Sequence, residues 1–165
     1  MFFGGLVTAF LVLRAGALWW PPPGQPRLPV IVTAFNTLLL LMSGFAMYKG
    51  LDAIRHGDSK LLQRRLTIAA SLGAIFLAVQ GIEWVRLIDN GLRVTSGLYG
   101  ALFCTIVGAH GVHVAGGLIA LMAVMARTAR GHYDAGNHSG IEACWIFWCF
   151  VVLLWPVLYV MVYLS

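Results

Sequence analysis

The chain has 165 residues, of which 60% are hydrophobic and only 10% charged, against roughly 25% charged in a soluble domain. So little polar surface excludes an ordinary cytosolic enzyme, a disordered linker and a nucleic-acid-binding domain, and the mean hydropathy of +0.85 agrees. The net charge of +5 is read as an excess of Lys and Arg in membrane-flanking loops, and three cysteines within apolar runs imply no disulfide framework.

A membrane-spanning helix needs about 20 mostly apolar residues, and five segments meet that need. They lie at about 1–20, 28–48, 66–85, 97–126 and 143–164. The first is interrupted only by Arg14, and no secretory signal pattern precedes it. It opens without a polar leader, so we expect residues upstream of Met1. The second and fifth carry no charge, and the third is charge-free until Glu83. The fourth sits in an uncharged run from Val94 to Ala126, about 50 Å if helical throughout. It exceeds the bilayer core, so it must tilt, protrude or start late, with Ser96 as the expected N-cap. Unpaired strand edges cannot face lipid. The expected fold is therefore all-α: one membrane domain, a polytopic five-helix bundle.

The connecting loops set the orientation. Lys49, Arg55, Lys60, Arg64, Arg65, Arg127 and Arg130 flank one end, and Arg14, Arg27, Arg86 and Arg93 the other. The positive-inside rule then places the N-terminus in the cytoplasm and the C-terminus outside. Trp19 and Trp20 fall at the outer interface, with Tyr159 and Tyr163 at the same level, as in an aromatic belt. Pro21, Pro22, Pro23 and Pro26 make the first outer loop a stiff spacer.

Polar groups within lipid are costly, and each is a functional candidate. His110 and His113 share one face of the fourth segment near mid-membrane. They read either as haem or metal ligands or as interhelical hydrogen-bonding groups, and no other span offers a mid-membrane histidine. Gly97, Gly100, Ala101, Cys104, Gly108, Gly111 and Ala115 form a small-residue stripe on that segment. Such a stripe permits close helix approach and places this helix at the bundle centre. Gln80 and Glu83, followed by Arg86, read as a proton-relay carboxylate or an interfacial ion pair; the spacing favours the pair. Glu142 complements the first turn of the last helix, and with His132 and His138 it is also a candidate metal set. Cys104, Cys144 and Cys149 lack the spacing of a metal or redox motif, and no nucleophile–base pair or phosphate loop is present.

Several ordered motifs resemble one family. Gly108-Ala109-His110-Gly111-Val112-His113-Val114 resembles the G-x-H-G-x-H-V signature of subunit III of haem-copper respiratory oxidases. Asn36-Thr37 followed by Ser43-Gly44, Trp20-Pro21-Pro22, and Gly57-Asp58-Ser59-Lys60 are similar to further family motifs, as are Gln80 with Glu83-Trp84 and Gly97-Leu98-Tyr99-Gly100. His138-Ser139-Gly140-Ile141-Glu142-Ala143 resembles the family's H-x-G-x-E-A, and Trp148, Phe150, Trp155, Leu158 and Tyr159 fit its last helix. There are two departures. Cys149 and Val152 stand where the family usually has histidine and aspartate, and the chain has five spans where many members have seven.

The resemblance implies a subunit with no haem, copper or other cofactor of its own, and no catalytic residue. Haem and copper belong to its partners. It implies packing against oxidase subunit I, alongside subunit II and other respiratory-complex subunits, with bound phospholipid and no nucleic acid, in a bacterial plasma membrane. Structural, subunit-contact or proton-side roles then fall to His110, His113, Gly108, Gly111, Glu83, Glu142, His138 and Trp148. The other readings are a nitric-oxide-reductase-associated accessory protein of the same family, a haem-binding electron carrier, and a small transporter.

Overall fold

The computed structural model describes residues 2–16, 30–91, 97–134 and 136–163. Five helices account for almost all of them: α1 Phe2–Ala15, α2 Val30–Arg55, α3 Ser59–Asp89, α4 Leu98–Ala129 and α5 Ser139–Tyr163. The all-α expectation holds. Four helices, α2 to α5, are long and apolar enough to cross a membrane. α1 is apolar but has 14 residues, about 21 Å of rise against a hydrocarbon core of about 30 Å. The rest of the expected first span, with Trp19, Trp20 and the proline spacer, lies outside the described residues.

The helices run past their apolar windows. The expected loop from Lys49 to Arg65 is mostly helix, because α2 continues to Arg55 and α3 restarts at Ser59. A turn this short is built by two devices. Gly57 takes φ 79°, a conformation a side chain would strain, which lets the Gly57 and Asp58 N–H groups donate to the Ile54 and Ala53 carbonyls. The Asp58 carboxylate then caps α3 by accepting from the Leu61 N–H at 2.8 Å. At the start of α4 the cap position belongs to Gly97, with φ 116° and no side-chain cap bond. The cap therefore falls one residue later than expected, and Ser96 itself lies outside the described residues.

α2, α3, α4 and α5 close into a ring in which each packs on the next and α5 returns to α2, while α1 lies outside against α4. α4 is thus a wall of the ring and not its centre, although it touches three other helices. The interior is filled by Leu40, Met47, Leu62, Leu66, Phe76, Trp148 and Trp155, all essentially inaccessible. Ile31, Phe35, Phe45, Ile82, Val112, Ile119 and Ile146 point outward and are more than half exposed. An apolar outer surface of that kind belongs in lipid, and the chain is a multi-pass membrane protein.

Candidate functional site

The ring encloses a girdle of buried polar side chains, and α2 supplies its spine. Asn36, Thr37, Ser43 and Gly44 fall two helical turns apart on one inward face. The Trp155 indole N–H donates to Thr37 Oγ1 at 3.0 Å, and the Thr37 hydroxyl donates to the Thr33 carbonyl at 2.7 Å. Two turns along, the Trp148 indole N–H donates to Ser43 Oγ at 3.1 Å, and that hydroxyl donates to the Ala69 carbonyl at 2.7 Å. Asn36 Nδ2 donates to the Phe76 carbonyl at 3.1 Å and to Gln80 Oε1 at 3.4 Å, while Gln80 Nε2 donates to the Tyr163 hydroxyl at 2.9 Å. These bonds join α2, α3 and α5 through groups that would be costly to leave unpaired away from water.

Two glycines seat the larger aromatic anchor. A Cβ built on Gly73 would lie 2.7 Å from Trp148 Cζ2, and one on Gly117 would lie 2.6 Å from Trp148 Cε3. The indole of Trp148 is therefore gripped between α3 and α4 at positions that admit hydrogen only. Gly44 receives Val152 in a milder version of the same contact: a Cβ there would lie 3.0 Å from Val152 Cγ1. Val152 thus fits a small-residue seat on α2. Cys149 lies half-buried in a shallow apolar groove between α2 and α5 with Tyr48 and Trp145.

His110 and His113 occupy unlike surroundings. His110 is 1% exposed, stacked on Trp155 at 4.7 Å between ring centroids and edge-on to Phe76 at 6.0 Å. His113 is half-buried between Phe3 of α1 at 5.0 Å and Phe147 of α5 at 6.5 Å. Its Nδ1 donates to the Ala109 carbonyl at 2.7 Å, which fixes the tautomer because a carbonyl only accepts. Gly108 and Gly111 do not give the close helix contact that the stripe suggests: a Cβ on Gly108 would meet only the Trp84 ring of α3, at 3.7 Å, and one on Gly111 nothing within 4 Å. They line an apolar groove of about 390 Å³ between α3 and α4, with Leu77, Gly81, Trp84 and Val107.

Glu83 is 8% exposed and pairs with Arg86 at 2.7 Å, the ion pair that the spacing favours. Glu142, in the first turn of α5, accepts from Arg55 of α2 at 2.8 Å and lies 3.4 Å from His138 Nε2. The Arg55 partner was not legible from spacing, being 87 residues away in sequence. His132 does not join this cluster but lines a separate polar cavity of about 520 Å³ with Arg127, Arg130, Tyr133 and Asn137. Among the described residues no three His, Cys, Asp or Glu side chains converge as a metal site. Tyr163 differs from the expected interfacial belt, being buried on Gln80, while the half-buried Tyr159 donates its hydroxyl to the carbonyl of Val30, the first residue of α2, at 3.1 Å.

Comparison with known proteins identifies the setting of this girdle. The cytochrome c oxidase subunit III family profile matches residues 1–165. Cytochrome c oxidase subunit 3 of Synechocystis is 40% identical over 163 residues, covering 98% of this chain and 69% of the relative. The protein of the same name from Thermostichus vulcanus is 35% identical, covering 99% of this chain and 80% of the relative. That of Xenopus laevis is 36% identical over 145 residues, 87% of this chain and 54% of the relative. A match along the whole chain places the protein in the cytochrome c oxidase subunit III family.

Proposed function

We propose that this chain is the non-catalytic subunit III of a proton-pumping haem-copper terminal oxidase and packs against subunit I, the oxygen-reducing chain. Its five helices act as one membrane domain in a bacterial plasma membrane, with the N-terminus in the cytoplasm. In this role it stabilises the larger subunit and protects it during turnover, while haem and copper reside in the partners. The supporting observation is the α3–α4 groove. Gly81 and Gly111 meet nothing within 4 Å at a Cβ position, and Gly108 meets only Trp84, at 3.7 Å. Small residues that leave open space inside a monomer suit close approach by another membrane helix.

Bound phospholipid is part of the same reading. The cavity of Arg127, Arg130, His132, Tyr133 and Asn137 lies at the end of the ring where the α4–α5 loop enters α5. Its two guanidinium groups suit an anionic headgroup at the membrane surface. The electron-carrier and transporter readings draw no support from the geometry, since His110 is enclosed by aromatic rings and Glu83 is already paired.

The test compares two equivalent substitutions in the assembled oxidase. Gly108→Leu fills the groove and is expected to reduce recovery of the large subunit with this chain. Gly116→Leu makes the same chemical change at an exposed position outside the groove and is expected to leave recovery unchanged. Equal recovery from both variants would remove the groove as the contact face.

A further inference from the structure

We infer that His110 anchors an internal water in the core of the ring. A neutral imidazole carries one N–H donor and one bare nitrogen acceptor, and both lie in the plane of the ring. Trp155 stacks on the face of His110 at an interplanar angle of 27°, so it covers the ring without satisfying either nitrogen. Among the described residues neither Nδ1 nor Nε2 of His110 has a hydrogen-bond partner, although both are buried. His113, one turn away on the same helix, shows what local satisfaction would look like, since its Nδ1 donates to the carbonyl four residues back. His110 has not taken that option.

A second buried group without a partner is linked to His110 through Phe76. Asn36 Oδ1 is unpaired, while its Nδ2 donates to the carbonyl of Phe76, the residue whose ring meets His110. A water bound at one imidazole nitrogen satisfies a group that a folded interior rarely leaves orphaned, and the unpaired Asn36 Oδ1 marks a second site on the same polar girdle with unused hydrogen-bonding capacity. A side chain from another subunit does not fit the position, because His110 is 1% exposed. A metal ion does not fit either, because no further ligating groups converge on it among the described residues. Water is the one ligand small enough and able both to donate and to accept.

The test is a density map of the full chain in its native complex, at a resolution that shows ordered waters, for the wild type and for His110→Phe. Phenylalanine keeps a ring against Trp155 and removes both nitrogens. The expected wild-type map shows a peak within about 2.7–3.2 Å of one His110 nitrogen, and the variant map loses it. Two results would overturn the inference: a wild-type map in which only carbon atoms surround both nitrogens, or a peak that persists unchanged in the variant. The wild-type map decides the matter even where the variant fails to assemble, and it does so whether or not the α3–α4 groove is the subunit contact.

Discussion

The grip on Trp148 gives the most direct handle on what holds the ring closed. Gly117→Ala places a methyl carbon 2.6 Å from Trp148 Cε3 and 2.7 Å from Cζ3, about 1 Å inside a normal carbon–carbon contact. The indole cannot slide away, because Gly73 lies against its Cζ2 at 2.7 Å from a Cβ position and its N–H is tied to Ser43. Overpacking of a fixed core ring costs roughly 1–3 kcal/mol. Alanine recovers up to about 1 kcal/mol through its better helix propensity, so the net loss is about 0–2 kcal/mol against the wild type, and the gap to a glycine-to-alanine change that meets no clash stays at about 1–3 kcal/mol. Each 1.4 kcal/mol of that gap is about a tenfold difference in the folded-to-unfolded ratio. Gly111→Ala is the control: it meets nothing within 4 Å and is expected to be neutral or slightly stabilising. The assay is the denaturation midpoint of the purified chain in detergent, read by tryptophan fluorescence. Trp148→Phe, whose shorter ring does not reach the same atoms, should absorb the methyl, so the double variant should be less destabilised than the two single effects added together. Equal midpoints for Gly117→Ala and Gly111→Ala, or strict additivity with Trp148→Phe, would refute the grip.

Three further outcomes follow from the girdle and its rim. Thr37→Val removes the acceptor of the Trp155 N–H and leaves a buried donor unpaired, so thermal unfolding in detergent should show a loss of about 1–3 kcal/mol; Thr37→Ser should stay close to wild type. Gln80→Leu cuts the link between Asn36 and Tyr163, and the same assay should show a loss of similar size. Glu142→Gln weakens a pair whose side chains are 51% and 39% exposed, so its effect on the same midpoint should be small and should shrink as salt is added; a large, salt-independent loss would mean that the Arg55–Glu142 contact is not a surface ion pair.

Much of this architecture was readable from local pattern. Long uncharged runs gave the helices, since lipid leaves the backbone no other way to pair. The three-residue spacing of Glu83 and Arg86 gave their pairing, and the position of Glu142 gave its place in a first turn. What stayed hidden depends on contacts between distant segments. The small-residue stripe points to Gly108 and Gly111, yet among the described residues the glycines whose Cβ positions run into the Trp148 indole are Gly73 and Gly117. Nothing in a single helix shows which glycine faces a partner's indole. Ser43 with Trp148 and Thr37 with Trp155 lie more than one hundred residues apart. Tyr163 illustrates the same limit: its position near a span end suggests an interfacial ring, but Gln80 offers a buried partner. The helices run past their apolar windows because polar residues such as Gln63 and Arg64 continue a helix as readily as they form a loop.

The proposed role of this chain is to scaffold an oxygen-reducing partner while carrying no redox group itself. Affinity purification of the full chain from its native membrane, followed by composition and visible absorption of the complex and of the separated chain, tests it most directly. The account predicts a stoichiometric large subunit holding all the haem and copper, and a separated chain without visible absorption. A stoichiometric haem retained by this chain alone, or its recovery from the native membrane with no haem- and copper-containing companion, would contradict it.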